Sequence, residues 1–137
     1  MQISIPISFG ELIDKITILE IKAQKIEDQA KLVNVQAELT ALSEIWTGCE
    51  QYKTDISELH NALKSVNESL WDIEDQIRIM ESRGKFEDEF IALARSVYIR
   101  NDERARLKKS INQRLGSDIE EEKSYADYTR NPDLSDA

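Results

Sequence analysis

The sequence predicts an all-α fold: an elongated antiparallel helical bundle built on a long coiled-coil hairpin of helices at about 54–82 and 86–115. A bent or broken 9–47 helical region packs along it. Three observations carry this. First, Ile56, Leu59, Leu63, Val66, Leu70, Ile73, Ile77 and Met80 recur at alternating spacings of four and three, a heptad seam that no strand satisfies. Second, 33% of the residues are charged and only 4 Gly and 2 Pro occur, a balance typical of long helices. Third, Gly48, Gly84 and Gly116 each stand where an apolar stripe stops, so three helical regions are joined by short turns.

In chain order, residues 1–7 place Ile3, Ile5 and Ile7 in period two around Pro6, an extended segment limited by the proline to an edge. An exposed apolar edge is adhesive, which makes these three isoleucines an interface candidate. Ser8-Phe9-Gly10-Glu11 then reads as a capping box opening a helix, with Ile7 stapled to Leu12. Leu12, Ile16, Leu19, Ala23 and Ile26 form one stripe and Ile13, Ile18 and Ile21 broaden it, so this helix is expected to touch more than one neighbour. Phase is lost after Ile26 and resumes at Leu32, Val35, Leu39, Leu42 and Trp46, which favours a break capped by Asp28.

Thr54 or Asp55 caps the long central helix, and Trp71 gives it a second apolar edge for the first helix. After Gly84, the acidic run Glu87, Asp88, Glu89 suits a helix N-terminus. The next seam runs Phe90, Leu93, Val97, Arg100, Arg104, Leu107, Ile111. Residues 1–116 thus read as a single helical-bundle domain, and 117–137 as an acidic, largely disordered tail. Tyr125 and Tyr128 are spaced to dock on one side of a turn.

The formal net charge of −9 disfavours nucleic acid and anionic membrane as partners, and no run is apolar enough for a membrane span. One cysteine, Cys49, and no secretory pattern at the N-terminus point to a cytoplasmic location.

Two arginines on a seam demand partners. Folding at Gly84 sets Glu68 near Arg100, so a structural ion pair of Arg100 with Glu68 or Asp72 is expected. A different use of the same stretch follows from its charge. Seven of the eight arginines lie between 78 and 114, and Arg95, Tyr98, Arg100, Asn101, Arg104 and Arg106 form a stripe suited to holding a phosphate or carboxylate. Carboxylates at Glu11 and Asp14, or Glu68 and Asp72 with Glu74 and Asp75, give only half of the pattern by which all-helical pyrophosphatases hold Mg²⁺. The first helix also lacks the arginines of a chorismate-mutase-like enzyme. Lone His60 is read as a surface residue. No catalytic residue, metal site or cofactor is expected.

The phrases ISFGELIDKITILEIK (7–22), KLVNVQAEL (31–39), LWDIEDQIR (70–78), FIALARSVYIRNDERARLKKSIN (90–112) and KSY (123–125) resemble an uncharacterised family of small bacterial all-helical proteins, a domain of unknown function. The resemblance implies no catalytic residues, and a loose association with surface-polysaccharide or sugar-transfer systems. Two functions are therefore expected. The first is a non-enzymatic interaction or oligomerisation module whose partner is a second copy, as a dimer, or another protein. The alternative is a binder of a small anion, such as a phosphate, nucleotide or nucleotide sugar, at the arginine stripe.

Overall fold

The computed structural model describes residues 1–129, and every regular element among them is helical. Helix α1 spans Phe9–Lys25, α2 Gln29–Thr47, α3 Ser57–Ser82 and α4 Asp88–Leu115, with a 3-10 turn at Glu50–Lys53. The all-helical reading of the sequence is met, as four α-helices packed into a bundle.

Helix α1 starts where Ser8 Oγ accepts from the Glu11 amide at 3.1 Å. Only half of the capping box forms, because the Glu11 carboxylate is drawn away to Lys108 Nζ at 2.7 Å instead of returning to its own helix end. At the far end, residues 26–28 break the chain direction. Asp28 Oδ1 then caps α2 by accepting from the amides of Ala30 and Lys31, at 2.9 and 3.2 Å. The 9–47 region is thus two helices. Asp55 Oδ1 accepts from the Ser57 amide at the opening of α3, and Gly116 closes α4 at φ 66°, a left-handed geometry that costs other residues more.

The core draws on all four helices: Leu12, Ile13 and Ile16 from α1, Trp46 from α2, Leu63 from α3 with Ile56 just before it, and Ile111 and Leu115 from α4. Helix α1 packs on each of the other three, while α2 rests mainly on α1. The broad apolar surface of α1 thus has the several neighbours it requires, because its two stripes point in different directions. Trp46 anchors α2, edge-on to Phe9 with ring centroids 6.1 Å apart and to Tyr52 at 5.5 Å. Residues 1–8 form no strand; Ile3 and Ile5 stand exposed, and Ile7 packs against the core.

Pairings along the helices fix their directions. Gly10 meets Asn112 and Asp14 meets Arg104, so α1 and α4 run oppositely. Asp14 also meets Asn67 and Lys25 meets Asp72, so α1 and α3 run the same way. The first of these contacts is close: the Gly10 amide donates to Asn112 Oδ1 at 2.6 Å, and a Cβ on Gly10 would collide with the Lys108 carbonyl oxygen.

Beyond α4, residues 117–129 carry no regular secondary structure and run back along that helix. Glu121 reaches Lys108, and the Tyr128 ring meets Tyr98 edge-on at 4.8 Å. The remainder of the expected tail, 130–137, lies outside the described residues.

Gly10→Ala is expected to lower the unfolding free energy by about 1–3 kcal/mol, the usual range for forcing a methyl into a filled contact. Urea denaturation measures it, and a variant as stable as the parent would contradict the close approach of α1 to α4.

Candidate functional site

The chemistry of this chain concentrates where α1, α3 and α4 meet. Asp14 is 1% exposed, a depth at which a carboxylate without partners is very costly. It is fully engaged. Arg104 Nε donates to Oδ1 at 2.9 Å and its Nη2 to Oδ2 at 2.6 Å, a two-pronged pair, and Asn67 Nδ2 adds a third bond to Oδ1 at 2.9 Å. The same Asn67 amide reaches Thr17 Oγ1 at 3.0 Å, and that hydroxyl donates to the Asp14 carbonyl at 2.8 Å. Hydrogen bonding to Asp14 raises the Arg104 pKa further above its ordinary value, so the guanidinium stays charged. Among the described residues no buried side-chain nitrogen or oxygen lacks a partner.

One turn further along α4, Lys108 Nζ sits between the Glu11 carboxylate at 2.7 Å and the Glu121 carboxylate at 3.2 Å, with its side chain 12% exposed. Glu121 also pairs with Lys123. These two ammonium groups, Lys123 first and then Lys108, hold the Glu121 carboxyl below the usual range.

Between α4 and the returning segment lies a cleft of about 770 Å³. Tyr98, Asn101 and Lys108 line it from α4, Glu11 from α1, and Tyr125 and Tyr128 from the segment. A second depression of about 510 Å³ opens on the other side of Arg104, between α1 and α3, and carries Ile18, Ile21 and Trp71.

The predicted stripe divides. Tyr98, Asn101 and Arg104 reach the cleft, whereas Arg106 lines a smaller depression with Lys109, and Arg95 is exposed and lines neither. The expected pair of Arg100 with Glu68 or Asp72 does not form. Arg100 is half exposed and donates to Glu103 on its own helix at 3.0 Å, and Asp72 takes Lys25 at 3.5 Å. The physical reason is the third helix: α1 lies against both α3 and α4 and supplies the carboxylate that the α4 seam requires, through Asp14. Of the carboxylates weighed as Mg²⁺ ligands, Glu11 is taken by Lys108, Asp14 by Arg104, Asp72 by Lys25 and Glu74 by Arg78. Among the described residues no three of His, Cys, Asp or Glu converge as a metal site.

His60 is half buried, and its Nε2 lies 3.0 Å from Glu20 Oε1 on α1, while Lys64 reaches the other oxygen of that carboxylate at 3.5 Å. Hydrogen bonding to His60 leads the causes that lower the Glu20 pKa.

Set beside known proteins, residues 2–136 match the model of a family described as a family of unknown function, DUF6165. The chain belongs to that family. No curated protein and no solved structure matches it. No helix among the described residues is long and apolar enough to cross a membrane.

Two outcomes follow for this cluster. Arg104→Ala strips the buried Asp14 side chain of its cation, and should lower stability by about 3–5 kcal/mol, the range for breaking a buried pair from one side. Chemical denaturation reads this, and a loss below 1 kcal/mol would contradict the pairing. For Glu20 the folded-state pKa lies below its ordinary value of 4.5, so its contribution is present above pH 4.5 and disappears as pH falls through the lower folded value. In acid titrations the stability gap between the parent and Glu20→Gln should therefore narrow below that pH; a gap that widens there would contradict the Glu20–His60 contact.

Proposed function

We propose that this chain is a non-enzymatic interaction module that dimerises through the free end of its α3–α4 pair, a coiled-coil hairpin. One observation carries the reading: α1 is too short to cover its neighbours. At 1.5 Å per residue the 17 residues of α1 span about 26 Å, against about 39 Å for the 26 of α3 and about 42 Å for the 28 of α4. Helix α1 ends beside Asp72, where Lys25 makes its contact. Past that point the heptads continue through Ile73, Ile77 and Met80 on α3 and Phe90, Leu93 and Val97 on α4, yet Met80 is the only one of these six that is buried. Phe86 at 53% and Ile91 at 51% exposure stand in solvent at this end.

The α3–α4 pair alone leaves five of those six seam residues short of full burial and Phe86 and Ile91 uncovered, and further helices would complete the cover. The same end of a second copy supplies two more. The exposed Ile3 and Ile5 offer further apolar side chains to a second copy.

A second reading, binding of a phosphate, nucleotide or nucleotide sugar on α4, is favoured by the cleft at Tyr98, Asn101 and Lys108. A thermal-shift screen against phosphates and nucleotide sugars tests it: a stabilising shift is expected and its absence throughout overturns it.

For the first reading, sedimentation velocity at micromolar concentration should show a dimer. Phe86→Glu with Ile91→Glu should convert it to monomer with helical circular dichroism unchanged. A parent chain that sediments as a monomer, or a dimer indifferent to both substitutions, would overturn the reading.

A further inference from the structure

We infer that the C-terminal segment 121–128 is a displaceable roof over a binding cleft, and that the cleft takes a small planar aromatic anion, its acidic group replacing the Glu121 carboxylate at Lys108. This rests on the second reading above, that α4 binds anions, and adds the place, the ligand class and the competing group.

The cleft is the right size and shape for such a molecule. Its volume of about 770 Å³ lies within the roughly 300–1,000 Å³ typical of small-molecule sites. One end is aromatic: Tyr98 on the floor and Tyr125 and Tyr128 on the roof, with the Tyr98 and Tyr128 rings already 4.8 Å apart. Tyrosine faces accept a flat ring without demanding a particular pattern of hydrogen bonds. At the other end is Lys108, whose Nζ already holds a carboxylate from the roof at 3.2 Å.

That contact marks the place for an external acid. Lys108 is backed by Glu11 at 2.7 Å, which belongs to α1 and stays, so one ammonium serves a fixed carboxylate and a movable one. An incoming carboxylate or phosphate that takes the second position keeps an anion at Lys108, with about one charge from a carboxylate and up to about two from a phosphate monoester. Exchange therefore avoids stranding a half-buried cation. Arg104 takes no part in the exchange, because both prongs of its guanidinium are committed to Asp14.

The roof is built to move. Residues 119–129 carry no regular secondary structure and every one of them is exposed, so few contacts hold them. Glu121 lies near the start of the roof and the tyrosines near its end. Release of the Glu121 contact and entry of a ligand ring between the tyrosines are thus two steps along one strip of chain.

Titration calorimetry on the full chain tests this with uridine monophosphate as the aromatic anion, and with uridine and inorganic phosphate as its separate halves. Uridine monophosphate should bind at least tenfold more tightly than either half. Glu121→Gln, which removes the competing charge, should tighten it threefold or more, and Tyr98→Ala should weaken it tenfold. Tyr98 is exposed, so that variant folds independently of the site; matching circular dichroism verifies it. Phosphate binding as strong as the nucleotide's, indifferent to both variants, would leave α4 an anion binder and overturn the roofed cleft. Failure of all three probes to bind at millimolar concentration would overturn both readings.

Discussion

A charge buried on α1 governs this fold. Asp14 sits where water does not reach, and its three donors come from two other helices, Arg104 on α4 and Asn67 on α3. Each apolar contact in the core tolerates small slips of one helix against another, since dispersion and hydrophobic burial are not directional. A two-pronged Arg–carboxylate pair is not tolerant, for a shift of one turn on either helix would leave a charge in the interior with no partner. The cluster therefore sets the register of three helices at one point. The Gly10–Asn112 contact, about one turn away on α1, sets how closely α1 and α4 approach.

From that point outwards the bundle is unequal. Helix α1 is buried on two faces and is the element the others share, although α3 carries the longer and more regular seam. A regular narrow stripe needs one partner, whereas the broad surface made by Leu12, Ile13, Ile16, Leu19 and Ile21 needs several. The same inequality underlies the two proposed surfaces. Where α1 covers the α3–α4 pair, polar groups are paired and fixed. Where α1 has ended, apolar side chains remain available, and along the outer face of α4 the C-terminal segment supplies a cover of its own.

Much of this is written locally in the chain. Helix positions follow from the heptads, the Asp28 cap from the loss of phase after Ile26, and the two-sided character of α1 from its extra isoleucines. The requirement that a seam arginine be paired is also legible at Arg104. Its partner is not, because adding residue numbers across Gly84 describes two helices and the carboxylate comes from a third. A clue did exist: Gly10, Asp14, Thr17 and Ile21 follow helical spacing on a second face of α1, and a lone acid among small and apolar residues is suited to a lone arginine elsewhere. Gly10 read as part of a cap, since nothing local reveals that another helix crosses at that residue. Among the seven cations of residues 92–115 nothing local singles out Lys108, whose place between Glu11 and Glu121 depends on contacts 97 and 13 residues distant in sequence.

Native-state hydrogen exchange measures the central claim most directly. If the Asp14 cluster makes α1 the shared core, the amides of residues 12–21 should be among the slowest to exchange, opening only with global unfolding, and Arg104→Ala should speed α1, α3 and α4 together. Exchange of α1 at rates near those of residues 119–129, while α3 and α4 stay protected, would contradict the account.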